Sequence, residues 1–404
     1  MKRLELNYKA PFKKPKYEIG DIFRDNLDKL AHLKLSPGQR KVVNAIIKCR
    51  TKELGGHRLR CKDCGYTEIS YNSCRNRHCP KCQYFKKLKW LNNRIEEILP
   101  VKYFHIVFTI PNILNPLVLQ NKRELYGILF KAVKETLTEA AENPKNLGAK
   151  IGFMSILHTW GQNLLDHPHM HCVVTGGGLN KDKTKWINSR DNFFISVKLL
   201  GKLFRGKYLY YLKKAYNERR IQFHGKLKEL RYREDFNSLL REAYKKNWVV
   251  YSKKPFSNPI SVFKYLGRYT HRVAISNNRI VGVKNNKVSF SWKDYRNGNK
   301  RKIMNLGVEE FMRRFLLHVL PKGFKRIRFY GLLSNRYKKE NIKKIRKLLK
   351  TTEDTALDIK ANVPELIVDK DSENKYKCPK CDSTNITLEA ISAEYINNCY
   401  WDTS

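Results

Sequence analysis

Residues 167–174 read His-Pro-His-Met-His-Cys-Val-Val, and this stretch indicates the fold class of the region around it. Its apolar and β-branched residues predict a strand, on which alternate side chains share a face. His169 and His171 therefore point to one side, whereas Met170 and Cys172 point to the core. A single histidine in a sheet is usually a satisfied core residue, but two imidazoles side by side can hold a divalent cation. The alternation predicts a metal site.

Further strands and helices are predicted on both sides of this stretch. Residues 103–110 are β-branched and aromatic, and Pro111 closes them, which indicates a buried strand. Adjacent strands joined by tight turns, as at Asn285-Asn286, predict an α+β domain on a mainly antiparallel sheet. Further predicted strands cover 151–157, 169–175 and 248–251, and predicted helices cover 85–99, 115–142, 259–269 and 307–319, with two basic helical segments within 197–246.

Tyr265 and Tyr269 lie four residues apart in the predicted helix 259–269, so they share a face. Aromatic residues at this spacing usually line a core. The surrounding residues are cationic, which favours a phosphate ligand instead: Lys264, Arg268 and Arg272.

The histidine pair and the tyrosine pair predict one reaction when they are taken together. A phenol has an ordinary pKa near ~10, so it attacks poorly until its target is neutralised. A divalent ion on the paired histidines would polarise a phosphate oxygen, and one tyrosine would attack the phosphorus. The products are a 5′-phosphotyrosine and a free 3′-OH. Two tyrosines allow two such links at once, which strand transfer requires.

The charge of the chain indicates a polyanionic partner. The 404 residues include 82 Lys and Arg against 37 Asp and Glu, a formal net charge of +45. Self-repulsion on this scale does nothing for folding, and DNA is the commonest polyanion. No run approaches the ~18 apolar residues that span a bilayer, so we expect a cytoplasmic protein without a membrane partner.

Two CxxC knuckles predict a zinc site. They are Cys61-Lys-Asp-Cys64 and Cys79-Pro-Lys-Cys82, and four thiolates at this spacing are typical of a zinc ribbon. Cys74 or His78 could replace one of the four, since Cys₃His sites are common. The N-terminus lacks an apolar stretch, so no signal peptide is expected and metal is favoured over disulfides. Basic residues in this region, expected to contact DNA phosphates, include Arg75 and Arg77.

A third knuckle, Cys378-Pro-Lys-Cys381, lies near the C-terminus. Only Cys399 follows it, and three cysteines do not complete a four-cysteine site. The sequence leaves two interpretations open, half of a ribbon completed by another group or a vacant knuckle.

These residues resemble the HUH superfamily of single-strand endonucleases, named for His–hydrophobe–His. More narrowly, the chain resembles the two-tyrosine rolling-circle transposases of bacterial insertion sequences, from about residue 35 to about residue 335. The resemblance is carried by the zinc segment 73–83, the strand 104–111, the segment 158–163 with 167–172, the tyrosine pair, and a downstream block at 311–321 and 326–331.

The resemblance implies a transposase that cuts and rejoins single-stranded DNA at element ends, in the bacterial cytoplasm and nucleoid-associated when bound to DNA. It implies an HUH-type antiparallel sheet flanked by helices, structural Zn²⁺ and catalytic Mg²⁺ or Mn²⁺. A third polar ligand would join His169 and His171, and Gln162 and His105 are the candidates. The expected domains are 1–98 (helical, zinc-binding and DNA-binding), 99–335 (catalytic) and 336–404 (a basic-to-acidic tail with a partial zinc knuckle).

Two other functions fit some of the same residues. A rolling-circle replication initiator or a relaxase would use the same chemistry, but the zinc segment and the downstream block favour a transposase. A zinc-dependent DNA-binding protein without catalysis would need neither tyrosine.

Overall fold

The computed structural model describes residues 15–256, 258–294, 297–351 and 377–394. Within these residues the α-helices are α1 Ile19–Arg24, α2 Leu27–His32, α3 Pro37–Ile47, α4 Pro80–Asn92, α5 Asn115–Gln120, α6 Lys122–Glu142, α7 Val197–Asn217, α8 Arg233–Lys245, α9 Pro259–Tyr269, α10 Val308–Leu317 and α11 Lys338–Leu348. The strands are β1 Gly56–Cys61, β2 Thr67–Tyr71, β3 Tyr103–Thr109, β4 Lys150–Trp160, β5 Asp166–Leu179, β6 Trp186–Asn188, β7 Val250–Ser252, β8 Ile280–Lys284, β9 Lys287–Asp294, β10 Lys300–Gly307, β11 Ile327–Gly331 and β12 Ile386–Ile391. Short 3₁₀ helices span Lys52–Leu54, Ile95–Glu97, Asn112–Leu114, Gly225–Arg231 and Asn277–Arg279. None of the helices in this part of the chain is both long and apolar enough to cross a lipid bilayer.

The described residues divide into two compact units, each assembled from separated segments. The ribbon unit takes its described residues from Met1–Lys86, His271–Val319 and Ile367–Ser404. The sheet unit takes them from Lys87–Thr270 and Leu320–Leu366. The expected domains were three consecutive segments, 1–98, 99–335 and 336–404, whereas both units contain segments that are not consecutive in the sequence.

The sheet unit is built on an antiparallel sheet in the order β11-β4-β5-β3-β7, and β6 pairs with β5. One face packs against α5 to α8 and carries Met170, Cys172 and Val174 of β5. The opposite face carries Val173 and packs against α9 and α11. The predicted α+β fold with an antiparallel sheet flanked by helices is confirmed, and so is the alternation of core-facing residues along β5.

The helix of the tyrosines begins and ends where the sequence predicts. The side chain of Asn258 accepts a hydrogen bond from the Ser261 amide (2.8 Å), and Pro259 occupies the first turn. The helical stretch predicted over 115–142 has the predicted bounds, but it is divided into α5 and α6 at Asn121. The side-chain amide of that asparagine donates to the carbonyl oxygens of Leu117 and Gln222, so it ties the break to a distant loop.

The ribbon unit contains α1 to α3, α10 and two three-stranded sheets, β12-β1-β2 and β10-β9-β8. Ser36 and Gln39 form a capping box at the start of α3. The predicted turn between β8 and β9 is confirmed, since Asn285 and Asn286 have φ values of 49° and 56°. A tight hairpin of this kind requires positive φ at both central residues. On α1 and α10, the rings of Phe23 and Phe315 pack edge to face at 5.5 Å.

The C-terminal region contains regular structure where the sequence predicted a tail. Helix α11 places Ile342 and Ile345 in the core of the sheet unit. Strand β12 pairs along the whole of β1, from Ile391 opposite Gly56 to Ile386 opposite Cys61. Two separate stretches of this region therefore belong to the packed units.

Candidate functional site

Three histidines meet on two neighbouring strands of the sheet unit. His169 and His171 lie on β5, and His158 lies on β4 directly opposite His169. Each of the three offers a ring nitrogen, and these nitrogens all lie within 4.8 Å of one another. The structure thus brings the predicted pair together and adds His158, which the sequence resemblance includes only as the first residue of the segment 158–163.

The spacing of the predicted pair suits a cation. The Nε2 atoms of His169 and His171 lie 3.1 Å apart. Two nitrogens bound to one ion at about 2.1 Å and at right angles would lie about 3 Å apart. The other ring nitrogen of His169, Nδ1, lies 2.6 Å from the carbonyl oxygen of His167 and donates to it. The Nε2 lone pairs of His169 and His171 can therefore both face one cation.

His105 lies behind His171. Its Nε2 lies 2.9 Å from Nδ1 of His171, the ring nitrogen that is turned away from His169. The side chain of His105 is 3% exposed, and burial, with smaller effects from Lys253 and His169, lowers its pKa to about 3. A neutral His105 can accept the Nδ1–H of His171 and fix that ring. His105 is therefore better placed to orient the ring of His171 than to bind a metal ion itself as the third ligand.

His158 joins strand β4 to the helix of the tyrosines, α9. Its Nε2 donates to the carbonyl oxygen of Tyr269 at the end of α9 (3.0 Å), and its ring stacks on Trp160 at 4.9 Å. In the tautomer with the proton on Nε2, the lone pair lies on Nδ1. Gln162, one of the candidates for the third ligand, lies in the turn between β4 and β5.

The two tyrosines cover the histidines. Their rings stack at 4.3 Å, as the helical spacing predicts. The hydroxyl of Tyr265 lies 3.4 Å from Nδ1 of His171, and the ring of Tyr269 lies 4.8 Å from the ring of the same histidine. Tyr265 is buried, and burial, with a smaller effect from Tyr269, raises its pKa above the ordinary value. Tyr269 is half-buried and so is the more accessible phenol.

The predicted DNA-binding residues lie on both units. Lys264 of the sheet unit is exposed, and the side chain of Arg268 lies outside the described residues. In the ribbon unit, Arg75 is exposed, with a φ of 52°, and Arg272 is half-buried. Arg77 is also half-buried, and burial lowers its pKa.

The cysteines form two clusters rather than the one that the sequence predicts. Cys79 and Cys82 meet Cys49 and Cys74, whereas Cys61 and Cys64 meet Cys378 and Cys381. The expected set of Cys61, Cys64, Cys79 and Cys82 is therefore not brought together. Cys74 joins a cluster, as one alternative allowed, and the group that contains it does not include His78.

The first cluster has the geometry of a tetrahedral thiolate site. Sulfur–sulfur distances are 3.5 Å for Cys49–Cys82 and 3.6 Å for both Cys74–Cys82 and Cys49–Cys79. Four sulfurs at about 2.3 Å from one zinc ion lie about 3.8 Å apart. The backbone amide of Asn76 donates to Cys74 and that of Cys74 donates to Cys49, which stabilises thiolates. Hydrogen bonds from Cys74 and Cys79 lower the pKa of Cys49 to about 7.

Known protein families match both the segment that contains the first cysteine cluster and the segment that contains the histidines and tyrosines. The family "Transposase zinc-binding domain" matches residues 22–110, and the family "Putative transposase" matches residues 152–341. The first segment contains the cluster of Cys49, and the second contains His158, His169, His171 and both tyrosines.

Two relatives extend the match to most of the chain. "Putative transposase y4qJ" of Sinorhizobium fredii is 45% identical over 394 residues, which are 96% of this chain and 98% of the relative. "Transposase for insertion sequence element IS801" of Pseudomonas savastanoi pv. phaseolicola is 27% identical over 332 residues, 79% of this chain and 77% of the relative. No solved structure matches the chain.

Proposed function

The chain belongs to the family of insertion-sequence transposases, and we propose that it cuts and rejoins single-stranded DNA at element ends through tyrosine–phosphate links. One observation carries this proposal. The stacked pair Tyr265 and Tyr269 lies directly over three histidines whose nitrogens converge within 4.8 Å. Nucleophile and cation-binding groups thus lie on the same face of the sheet, where a phosphodiester could contact both.

The three histidines fit a divalent cation. His158, His169 and His171 would hold Mg²⁺ or Mn²⁺, which would neutralise a non-bridging oxygen of the scissile phosphate. Three imidazoles suit Mn²⁺ better than Mg²⁺, since Mg²⁺ prefers oxygen ligands. His105 would orient His171 from behind, and the bond from His158 to the Tyr269 carbonyl would hold α9 at β4.

The tyrosines supply the covalent chemistry. A phenolic oxygen attacks phosphorus, the 3′ oxygen leaves, and the 5′ phosphate stays on the protein. Burial raises the pKa of Tyr265, so this phenol becomes a nucleophile only beside positive charge. The phosphodiester energy is retained in the new link, and a 3′-OH can reverse the reaction on another strand. Two adjacent tyrosines allow two links to coexist during strand transfer.

The charge and the relatives favour this task over the alternatives. A formal net charge of +45 suits a long track of DNA phosphates. Both relatives are named as transposases, which favours transposition over replication initiation or conjugation. We place the reaction in the bacterial cytoplasm, on the nucleoid, because its DNA substrate is there.

Covalent capture tests the proposal. Labelled single-stranded oligonucleotides from an element end should become attached to the wild-type protein in Mn²⁺ or Mg²⁺, and mass spectrometry should find the adduct on Tyr265 or Tyr269. The double variant Tyr265→Phe/Tyr269→Phe should form no adduct and still bind DNA. Tyr251→Phe, at an exposed tyrosine of β7, is the matched control and should react normally. A wild-type protein that never becomes labelled would refute the tyrosine chemistry.

A further inference from the structure

The knuckles at Cys61–Cys64 and Cys378–Cys381 repeat one backbone turn. In the first, the amide of Gly65 donates to the Cys61 carbonyl oxygen (3.1 Å), and the Cys61 amide donates to the carbonyl oxygen of Tyr66 (2.8 Å). In the second, the equivalent bonds run from Asp382 to Cys378 (2.9 Å) and from Cys378 to Ser383 (2.8 Å). The equivalent residues Gly65 and Asp382 both have positive φ, 72° and 56°. Each turn therefore presents its two thiols in the same way.

The four thiols of these knuckles converge. Sγ of Cys61 lies 3.6 Å from Sγ of Cys381, and Sγ of Cys64 lies 3.5 Å from Sγ of Cys378. All four sulfurs lie within 4.8 Å of one another. A disulfide would need about 2.05 Å, whereas the edges of a tetrahedral zinc–thiolate site measure about 3.8 Å.

Bonds outside the thiols also join the two knuckles. The carboxylate of Asp63, inside the first knuckle, accepts from the side-chain amide of Asn385 (2.8 Å) and from the hydroxyl of Ser383. The amide of Lys62 donates to the carbonyl oxygen of Asn385 (2.9 Å). Strand β12 then continues along β1. This pairing places the second knuckle against the first independently of the sulfur distances.

We propose that Cys61, Cys64, Cys378 and Cys381 form a second zinc site, separate from that of Cys49, Cys74, Cys79 and Cys82, which fastens the C-terminal strand β12 to the ribbon. The matching zinc-binding family ends at residue 110, so two of the four ligands come from outside it. The paired cysteines are 314 and 320 residues apart in sequence. Closing so long a loop costs conformational entropy, and four metal–sulfur bonds can offset that cost.

The sheet β12-β1-β2 has a small core, which explains why it needs a metal. Among the described residues of β1, β2 and β12, the buried side chains are few: Leu59, Cys61 and Ile391. A sheet with so little apolar burial gains little from the hydrophobic effect, and small modules of this kind depend on metal ions or disulfides. The same thiols without a metal would leave three short strands with almost no core.

Metal content of the full chain, purified with reductant, tests the site without any DNA reaction. The wild type should hold about two zinc ions per chain by native mass spectrometry and elemental analysis. Cys378→Ser/Cys381→Ser should lose about one, and Cys79→Ser/Cys82→Ser should lose the other. Cys399→Ser is the matched control, because it removes a C-terminal cysteine and keeps all eight proposed ligands.

A conservative variant separates ligation from folding. Cys381→His should retain about two zinc ions, since Cys₃His sites bind zinc well, whereas Cys381→Ser should retain fewer. Cys381 is exposed, so these changes do not disturb a core. A wild type with one zinc ion, a Cys378→Ser/Cys381→Ser protein with the wild-type zinc content, iron in place of zinc, or disulfides at these cysteines would each overturn the proposal. None of these outcomes bears on the tyrosine chemistry.

Discussion

The histidine site and the cysteine clusters are both candidate metal centres, but different forces hold them in place. The histidines stand on β4 and β5, whose strands are buried along almost their whole length and are packed on both faces. In the second cluster, Cys61 ends the short strand β1, and the other three cysteines lie in the two knuckle turns, with few buried neighbours. The first site is positioned by a hydrophobic core, whereas the second is positioned by hydrogen bonds between its knuckles and by the proposed zinc ion.

Because the two sites are positioned differently, a metal ion would serve a different purpose in each. An ion at the histidines would find ligands that are already fixed, because His105 and the Tyr269 carbonyl hold two of the rings. Binding there would be used for catalysis. Zinc at the cysteines would instead contribute directly to folding, since the hydrogen bonds that join the two knuckles are accompanied by little apolar burial.

Metal removal should therefore affect the two units very differently, and this is the largest effect that we expect. A strong chelator should unfold the ribbon around β1, β2 and β12, because structural zinc can contribute on the order of 10 kcal/mol. The sheet unit should keep its hydrogen-exchange protection in β4 and β5. Hydrogen-exchange mass spectrometry before and after chelation measures both. Equal protection loss in the two units, or none in the ribbon, would contradict the comparison.

A smaller effect is expected from replacing His158, the histidine on β4. His158→Gln keeps a side-chain amide that can donate to the Tyr269 carbonyl but removes the imidazole lone pair. The Mn²⁺ concentration that gives half-maximal adduct formation should rise about 10- to 100-fold. The thermal unfolding temperature should change little.

The control for this variant is His167→Gln. His167 is exposed on β5, and its ring lies 5.0 Å from the ring of His169, but it is not one of the three histidines whose nitrogens converge. It should leave the Mn²⁺ dependence unchanged. If both variants shift the Mn²⁺ dependence equally, His158 has no special role as a ligand.

The sequence predicted the site best where ligands are neighbours along the chain. His169 and His171 share a face by strand alternation, and Tyr265 and Tyr269 by helical spacing, so local geometry was enough. His158 required the register between β4 and β5, and a tight connection over 161–165 is the feature that could have shown it. The register of an antiparallel pair follows from the turn that joins its strands.

The cysteine clusters were harder to predict because their partners are set by tertiary structure. CxxC spacing shows that two thiols share an ion but not which other knuckle completes the site. Cys49 lies at the end of a helix without a CxxC, and Cys378 reaches Cys64 only through the pairing of β12 with β1. No local pattern encodes that pairing.

The smallest expected effect tests the claim that burial positions the sheet unit. Asp166 begins β5, and burial raises its pKa to about 7, although Lys122 acts in the opposite direction. In the unfolded chain an aspartate titrates near ~3.9. The folded form therefore keeps its proton at pH values where the unfolded form has lost it, and stability falls as the pH rises from about 4 through about 7.

Asp166→Asn removes this pH-dependent cost, so it should raise the thermal unfolding temperature at pH 8 and change it less at pH 5. The gain should be at most about 4 kcal/mol, the free energy that corresponds to a rise in pKa from ~3.9 to about 7, and less to the extent that water reaches the half-buried Asp166. Asp191→Asn is the control: its exposed carboxylate has its pKa lowered by Lys102, and it should not gain stability at pH 8. A change in stability that is the same at both pH values would mean that the Asp166 carboxylate is solvated, and that burial does not position this end of β5.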